Sequence, residues 1–590
     1  MLCKPLNTNS MQNLPERCKS SFTRRARCGA KRSGFSGTNA RGLESKSVAR
    51  IFGWKEGCVS RPLVPFAAFV LVSVFPAIAG AQQTAPPVAT SQYDNARTGA
   101  TLSETTLTPE NVNVKKFGKL GAYKVDGAVY AQPLYVPGVA IAGKGTRNVI
   151  FVATEHDSVY AFDADKPGDA PLWHVSFLDP QNNVTTVTAQ QVGCPFIAPE
   201  VGITSTPVID METGTLYVLA RTAVTHTLSR TDYFQNLHAL AITTGVEKFG
   251  GPKPITASAK GKGDDSQNGV ISFNNLRENP RAALLLTNGV LYLTWASSCD
   301  VDPYHGWVIA YDPETLAQKA VLNVTPDGSE GGIWMSDAGP AADAAGNIYV
   351  PIGNGTFNAN ANGGRDWGDS IVKLALDGSS FTVRDSFTPF NQEQLSRSDA
   401  DLGSSGPTLI PDQPGKPAHI LIQPGKSGDI YVINRDKMGG YGQNSDAILQ
   451  KFTMRGGCYT AIAYWNSHVY IACEDDRIRS YNLVKGQLLE TPAVSTTHFD
   501  NPGATPAISA NGAKDGILWA IATKTWNGPQ QSAVLYAFDA AKMGDPLYTS
   551  EQNAARDRAA DATRFVIPLV ANRRVYFGAR GEVEIYGLLK

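Results

Sequence analysis

Excess charge of either sign is missing from this chain. Its 590 residues carry 53 Lys+Arg and 53 Asp+Glu, and charged residues make up only 18%. The balance is uneven, however: residues 1–81 hold 13 basic and 3 acidic residues, which leaves 40 against 50 for the remainder. A mildly acidic body has no electrostatic footprint for nucleic acid. HExxH and HxH are absent, so no local histidine spacing supports a transition-metal site. CxxCH is absent too, which excludes a covalent c-type haem. Cysteine is scarce, with eight in all, and four of them (Cys3, Cys18, Cys28, Cys58) precede residue 81. Long apolar runs are limited to one, over residues 62–79.

That run, PLVPFAAFVLVSVFPAIA, follows Arg61 and precedes Ala79-Gly80-Ala81. A basic flank, a short apolar core and small residues at the scissile positions describe a secretory signal over 61–81, with cleavage after Ala81. The competing membrane anchor is interrupted by Pro62, Pro65 and Pro76. No Cys follows the run to carry a lipid. Residues 1–60 are basic, rich in Ser and Gly and without apolar periodicity, as expected of a disordered leader or of a start site lying further downstream. Export places Cys194, Cys299, Cys458 and Cys473 where disulfides persist. Cys458 and Cys473 flank one predicted hairpin. Cys194 and Cys299 lie in loops of successive repeats. Spacing alone leaves both pairings open.

Glycine is plentiful, at 56 residues, which favours a turn-rich all-β chain. After a linker and lead-in over 82–114, one pattern recurs: a strand like LYV, a turn, a strand like YAFD, a polar turn. Copies begin with Asn148–Val152 and Ser158–Asp163, then Leu172-Trp173, and end with Arg574–Phe577 and Val583–Tyr586. Eight units of this period predict an eight-bladed β-propeller of four-stranded antiparallel blades over 115–590. The last unit stops after its third strand. Lys119–Val125, a strand signal ahead of the first unit, is expected to supply the fourth and so close the ring. Two separate β domains would need an internal linker, and 115–590 has none.

One stretch combines the repeat with residues that do not repeat. Gly331–Asn358 holds Trp334 in a glycine-rich turn, then the strand Asn347–Val350, then Gly353-Asn354-Gly355. The repeat "LYVxT…VYAFDAxxG…LW" resembles that of the quinoprotein alcohol dehydrogenase-like propellers, and the chain is also similar to secreted bacterial quinone-repeat propellers. In that family a Trp of the repeat docks neighbouring blades, the place of Trp173. The resemblance implies pyrroloquinoline quinone (PQQ) lying on a floor Trp below a disulfide of adjacent Cys. It implies Ca²⁺ held by an Asn and a Glu, and an Asp as base. Trp334 is then the floor, Asn354 a Ca²⁺ ligand, Asp401 the base with Asp399 second, and Lys426 the basic residue on the quinone oxygens. Asp300 or Asp302 replaces the family Glu as metal ligand. Cys194 stands alone where the adjacent pair belongs, and Glu200 stands near the place of a family Arg.

These residue types suit such chemistry. A flat ring needs a rigid aromatic platform, Ca²⁺ needs hard oxygen ligands, and alcohol oxidation needs a base. The same residues admit plainer roles: Trp334 as blade packing, Asn354 as a left-handed turn residue, Asp401 as a turn cap, Lys426 as a solvated lysine. His156 and His305 are read as pocket-lining. Two functions follow. One is an exported, periplasmic or extracellular PQQ/Ca²⁺-dependent dehydrogenase of an alcohol or sugar. The other is a non-catalytic propeller that binds a protein, glycan or envelope component.

Overall fold

The computed structural model describes residues 85–590 except 228 and 524–530. The leader, the apolar run, its cleavage site and the first four cysteines lie outside the described residues. Among the described residues, no helix is long and apolar enough to cross a membrane.

Among these residues the strands form eight sheets of four or more strands and one two-stranded hairpin, Ser258–Lys260 with Val270–Ser272. We number the large sheets one to eight by their first strands. These are Leu134–Ile141, Val208–Asp210, Leu285–Thr287, Ala341–Ala342, Thr408–Ile410, Ala463–Trp465, Ala507–Asn511 and Leu569–Ala571. The repeated sequence segments form the second and third strands. In sheet one, Gly145–Ala153 pairs antiparallel with Ser158–Asp163, Phe151 opposite Ala161, and Trp173–Ser176 completes the sheet. In sheet eight, Arg574–Gly578 pairs with Arg580–Leu588, whose other edge takes Phe117–Ala128, Tyr123 opposite Val583. The arrangement is all-β and of propeller type.

Successive strand residues point to opposite faces, and here both faces are covered. Phe151 and Ala153 pack on Leu216 and Val218 of sheet two. Their neighbours Ile150 and Val152 pack on Tyr576, Val583 and Ile585 of sheet eight. Trp295 and Trp307 of sheet three meet Tyr217 and Leu237 of sheet two. Ile422 and Ile430 of sheet five meet Val469 and Ile471 of sheet six. Two covered faces explain why strands such as Ile430-Tyr431-Val432-Ile433 are unbroken apolar runs. Each such side chain contributes about 1.5–3 kcal/mol by leaving water. Trp173 adds a directed contact: its Nε1 donates to Ile242 O at 3.0 Å, and its ring lies where a Cβ on Gly245 would sit, 2.8 Å away. Trp465 repeats this against sheet seven, donating to Gly512 O at 2.8 Å over Gly516.

The lead-in is itself structured. Residues 88–100 form a strap that bonds to the second residue of every first strand. Val88 exchanges backbone bonds with Tyr135, and Ala89 O accepts from Ile209 N at 2.8 Å. Asn95 Nδ2 donates to Leu286 O, and Asn95 O accepts from Ala342 N. Ala96, Thr98 and Gly99 carbonyls accept from Leu409, Tyr464 and Ile508. The Tyr93 hydroxyl accepts from Val570 N at 2.8 Å. A first strand is an open edge, and an unpaired buried edge group is costly. One strap satisfies one such group on each of the eight sheets.

Candidate functional site

Antiparallel order puts the loop entering each first strand at the same end as the loop between the second and third strands. At that end the repeat breaks down. The entering loops of sheets three to eight, joined by residues 192–201, enclose a cavity of about 330 Å³. Trp334, Asp300, Asp401 and Lys426 line it, as do both Cys194 and Cys299. Asn354 stands directly behind Asp401.

The entering loop of sheet four carries Trp334. Its indole packs against two glycines: a Cβ on Gly332 or Gly353 would approach it to 2.8 Å. The ring is half-buried, with Tyr304 at its edge, centroids 6.3 Å apart and planes at 68°. Trp334 Nε1 is buried and has no acceptor among the described residues. Asp401 enters sheet five and is 4% exposed. Its Oδ1 accepts from Asn354 N at 3.0 Å and its Oδ2 from Lys426 Nζ at 3.0 Å. Lys426 also donates to Asp399 Oδ1 at 2.6 Å. Asn354 Nδ2 donates to Glu330 at 3.4 Å, while Asn354 Oδ1 is buried with no donor among the described residues. Asp300 accepts from the Tyr304 hydroxyl at 2.8 Å.

Both disulfides are formed. Cys458–Cys473 is buried between sheets five and six. Cys194–Cys299 closes a separation of 105 residues and forms part of the cavity wall. It joins two loops, where the family resemblance implies adjacent cysteines.

Carboxylates outnumber cations on this side of the cavity. Desolvation, and then the Asp401 charge, raise Asp300 to about 6. Desolvation, then Asp302, Asp300, Asp401 and Asp399, raise Glu330 to about 7. Burial raises Asp401 as well, with Lys426 opposing. Burial disfavours the Lys426 charge, but Asp401 and Asp399 outweigh it and hold the ammonium protonated. Backbone strain gathers here too. Cys299, Asp300, Ser336, Asp399 and Phe565, all in the lining, have φ of 56°, 49°, 42°, 51° and 61°. Each costs on the order of 1–3 kcal/mol, and such residues cluster at working sites.

A pH dependence follows. A carboxyl raised on folding binds its proton more tightly in the native state. Its contribution is full below the unfolded value of about 4 and is lost as pH rises through the folded value. For Asp300 and Glu330 the loss runs from about pH 4 up to the folded values of about 6 and about 7. The urea midpoint is expected to decline across that window. Asp300→Asn with Glu330→Gln is expected to flatten the decline; an unaltered slope would show that these groups do not carry it.

Several residues here escape sequence reading. Glu330 sits one position ahead of the Gly331 turn, and its carboxyl was a visible signal. Arg281, Arg564, Phe196 and Phe565 also line the cavity and carry no repeat signature. The two histidines read as pocket-lining do not line it. His305 is buried between Thr325 Oγ1 and Asp264 O, each at 2.9 Å, and His156 pairs with Glu200 at 2.9 Å. Both are held by neighbouring loops.

No protein-family model and no curated protein sequence matches the chain. Solved structures do. A quinohemoprotein alcohol dehydrogenase of Pseudomonas putida HK5 aligns with a TM-score of 0.55 at 14% identity, over 85% of this chain and 80% of that one. A quinohemoprotein alcohol dehydrogenase of Comamonas testosteroni gives 0.54 at 14%, over 86% and 81%. A europium-containing methanol dehydrogenase gives 0.53 at 13%, over 85% and 98%. The chain thus has the propeller fold of the quinoprotein alcohol and methanol dehydrogenases.

Proposed function

We propose that this protein is an exported, quinone-dependent dehydrogenase that oxidises an alcohol or a sugar. The observation that carries this reading is the convergence of Trp334, Asp300, Asp401, Lys426 and the Cys194–Cys299 bond on one cavity, with Asn354 behind Asp401. The scaffold is an eight-bladed ring over 115–590, closed by the strand from Phe117. The order of the sheets and the apolar cluster shared by sheets eight and one support it. Residues 1–60 are the leader and 61–81 the signal, cleaved after Ala81.

The residues fit a flat quinone such as PQQ. Trp334 offers an indole braced by two glycines, the disulfide offers a second wall, and Lys426 offers a fixed ammonium. They fit Ca²⁺ less well. Asn354 Oδ1 lacks a donor, and the surplus of carboxylates suits a hard cation. Yet among the described residues no three Asp, Glu, His or Cys side chains stand where they could hold a metal ion. Lys426 already lies between Asp399 and Asp401. The expected metal ligands Asn354 and Asp300 are therefore given no metal step.

When bound, a quinone accepts two electrons from the alcohol carbon. The chain supplies the rest. Trp334 fixes the plane of the ring. Asp401, its proton affinity raised by burial with Lys426 opposing, takes the hydroxyl proton. Asp300, oriented by Tyr304, accepts a hydrogen bond that positions the substrate. Lys426 polarises an oxygen placed against it. The test is to add PQQ to the purified protein, with and without Ca²⁺, and to record the absorption spectrum and dye-linked oxidation. A shifted spectrum with turnover is expected, and Trp334→Ala should weaken quinone binding about tenfold or more. No spectral change and no turnover would sink the reading.

A further inference from the structure

We propose that Phe196 and Phe565 form an apolar subsite in this cavity, so that the substrate is an alcohol with an aryl body and not a sugar. The proposal rests on the dehydrogenase reading only for the fate of the hydroxyl; the binding itself stands apart.

Phe196 arrives on residues 192–201 and Phe565 on the loop entering sheet eight, and both line the cavity. A guanidinium braces each ring. Arg281 lies 4.7 Å from the Phe565 centroid and Arg564 lies 4.8 Å from that of Phe196, within the range over which a cation is drawn to a ring face. Arg281 is matched inside the protein. It faces the buried Glu155, which burial raises to about 7 while bonds from Gly202 and Thr204 and the Arg281 charge oppose. It therefore acts here as a support, and the ring in front of it is what the wall offers. Phe565 is held at φ 61° to present that ring, a conformation that bulky residues rarely adopt. Residues 192–201 are tied down at three points. Cys194 is bonded to Cys299, the Tyr130 hydroxyl donates to Phe196 O at 3.3 Å, and Arg580 Nη1 donates to Ala198 O at 2.6 Å. Val192, Ile197 and Val201 extend the apolar surface beside Phe196 and also reach the lining. Walls fixed before binding lose little freedom when an occupant arrives.

The neutral polar groups of the lining decide against a sugar. Ser336 Oγ donates to Ser404 O at 2.8 Å, Ser404 Oγ donates to Cys458 O at 2.7 Å, and Asn501 Nδ2 donates to Glu474. Their hydrogens are engaged within the protein. Asn279, Ser298 and Tyr459 remain for an occupant. A sugar carries hydroxyls on every side, so some would lie unpaired on the rings and on Ile197, and an unmet buried polar group is costly. An aryl alcohol divides as the lining divides: its hydroxyl goes to Asp401, and its body goes to the rings, where aromatic pairs gain beyond the area they bury.

The test compares benzyl alcohol with glucose and with ethanol, each of which carries a primary hydroxyl. Kd is read by ligand-observed NMR on the full protein, with and without PQQ. Benzyl alcohol is expected to bind at least tenfold more tightly than either, with no loss as salt is raised. Phe196→Ala and Phe565→Ala should each cut that preference at least threefold while PQQ-induced absorption persists, and the Leu variants should recover part of it. Equal or tighter binding of glucose, or a preference that survives both Ala variants, overturns the proposal. So does loss of PQQ-induced absorption in the Ala variants, which would assign the rings to the cofactor. If the Ala variants fail to fold, the comparison in the unaltered protein decides. The two readings fail separately: benzyl alcohol bound but never oxidised removes the dehydrogenase and keeps the subsite, whereas glucose bound and oxidised in preference does the reverse.

Discussion

Asp401→Asn is expected to lower turnover by about 10²–10⁴-fold, the usual worth of a positioned general base, while PQQ still binds. The carboxylate is 4% exposed and held from both sides, by Asn354 N on Oδ1 and Lys426 Nζ on Oδ2. An amide fits the same space but cannot accept at both atoms. Whichever way it turns, its N–H₂ faces a donor, so a loss of about 1–3 kcal/mol of stability accompanies the loss of rate. Lys426 keeps Asp399, so its charge survives. The diagnostic is the split between kcat and KM at saturating quinone. A fall in kcat with little change in KM supports the base; a change in KM alone removes Asp401 from proton transfer. Asp399→Asn is the control. Its side chain is 61% exposed, and a much smaller effect is expected.

The second large effect lies outside the cavity. Arg97→Ala is expected to cost about 4 kcal/mol or more. Arg97 is fully buried in the strap. Its guanidinium donates to Pro340 O at 3.0 Å, Thr90 Oγ1 and Ser91 O at 2.8 Å, and Leu284 O at 3.3 Å. Alanine strands those acceptors, at about 1–3 kcal/mol for a buried polar group left unmet, and leaves a void. Arg97→Met refills the volume without the donors, so it should recover only part. The check is the urea midpoint of each variant. If Ala and wild type unfold within about 0.5 kcal/mol of each other, the guanidinium does not hold the strap.

The repeat was the most legible feature. Short tyrosine-rich apolar strands such as LYV and YAFD, bounded by turns, show in the sequence because each sheet needs them. Trp173 could be read for the same reason, whereas its target Gly245 came only from the structure. Trp334, Asn354, Asp401 and Lys426 were visible as departures from the repeat, and they do gather at one place. Arg281 and Arg564 were not visible. They lie some 280 residues apart in the chain, in loops without pattern, and only the folded arrangement brings them to one cavity. The strap was hidden as well. Its contacts use backbone carbonyls, which every residue owns, so Val88–Ala100 reads as an ordinary connector. His305 misled because a histidine in a loop invites a site. Here its two ring nitrogens are both engaged by Thr325 and Asp264.

The strap also bears on the order in which this molecule can be made. Tyr93 and its partner Val570 are 477 positions apart, and partners in the other sheets lie at every distance between. Synthesis delivers the strap before any of its eight partners. Contacts so remote in sequence form late, because the intervening chain must first be ordered. Until then each sheet exposes the edge that the strap will cover, the kind of surface that captures neighbouring chains. A segment made before every sheet it covers is thus the last to be set in place, and it has all of its seats only when sheet eight has formed.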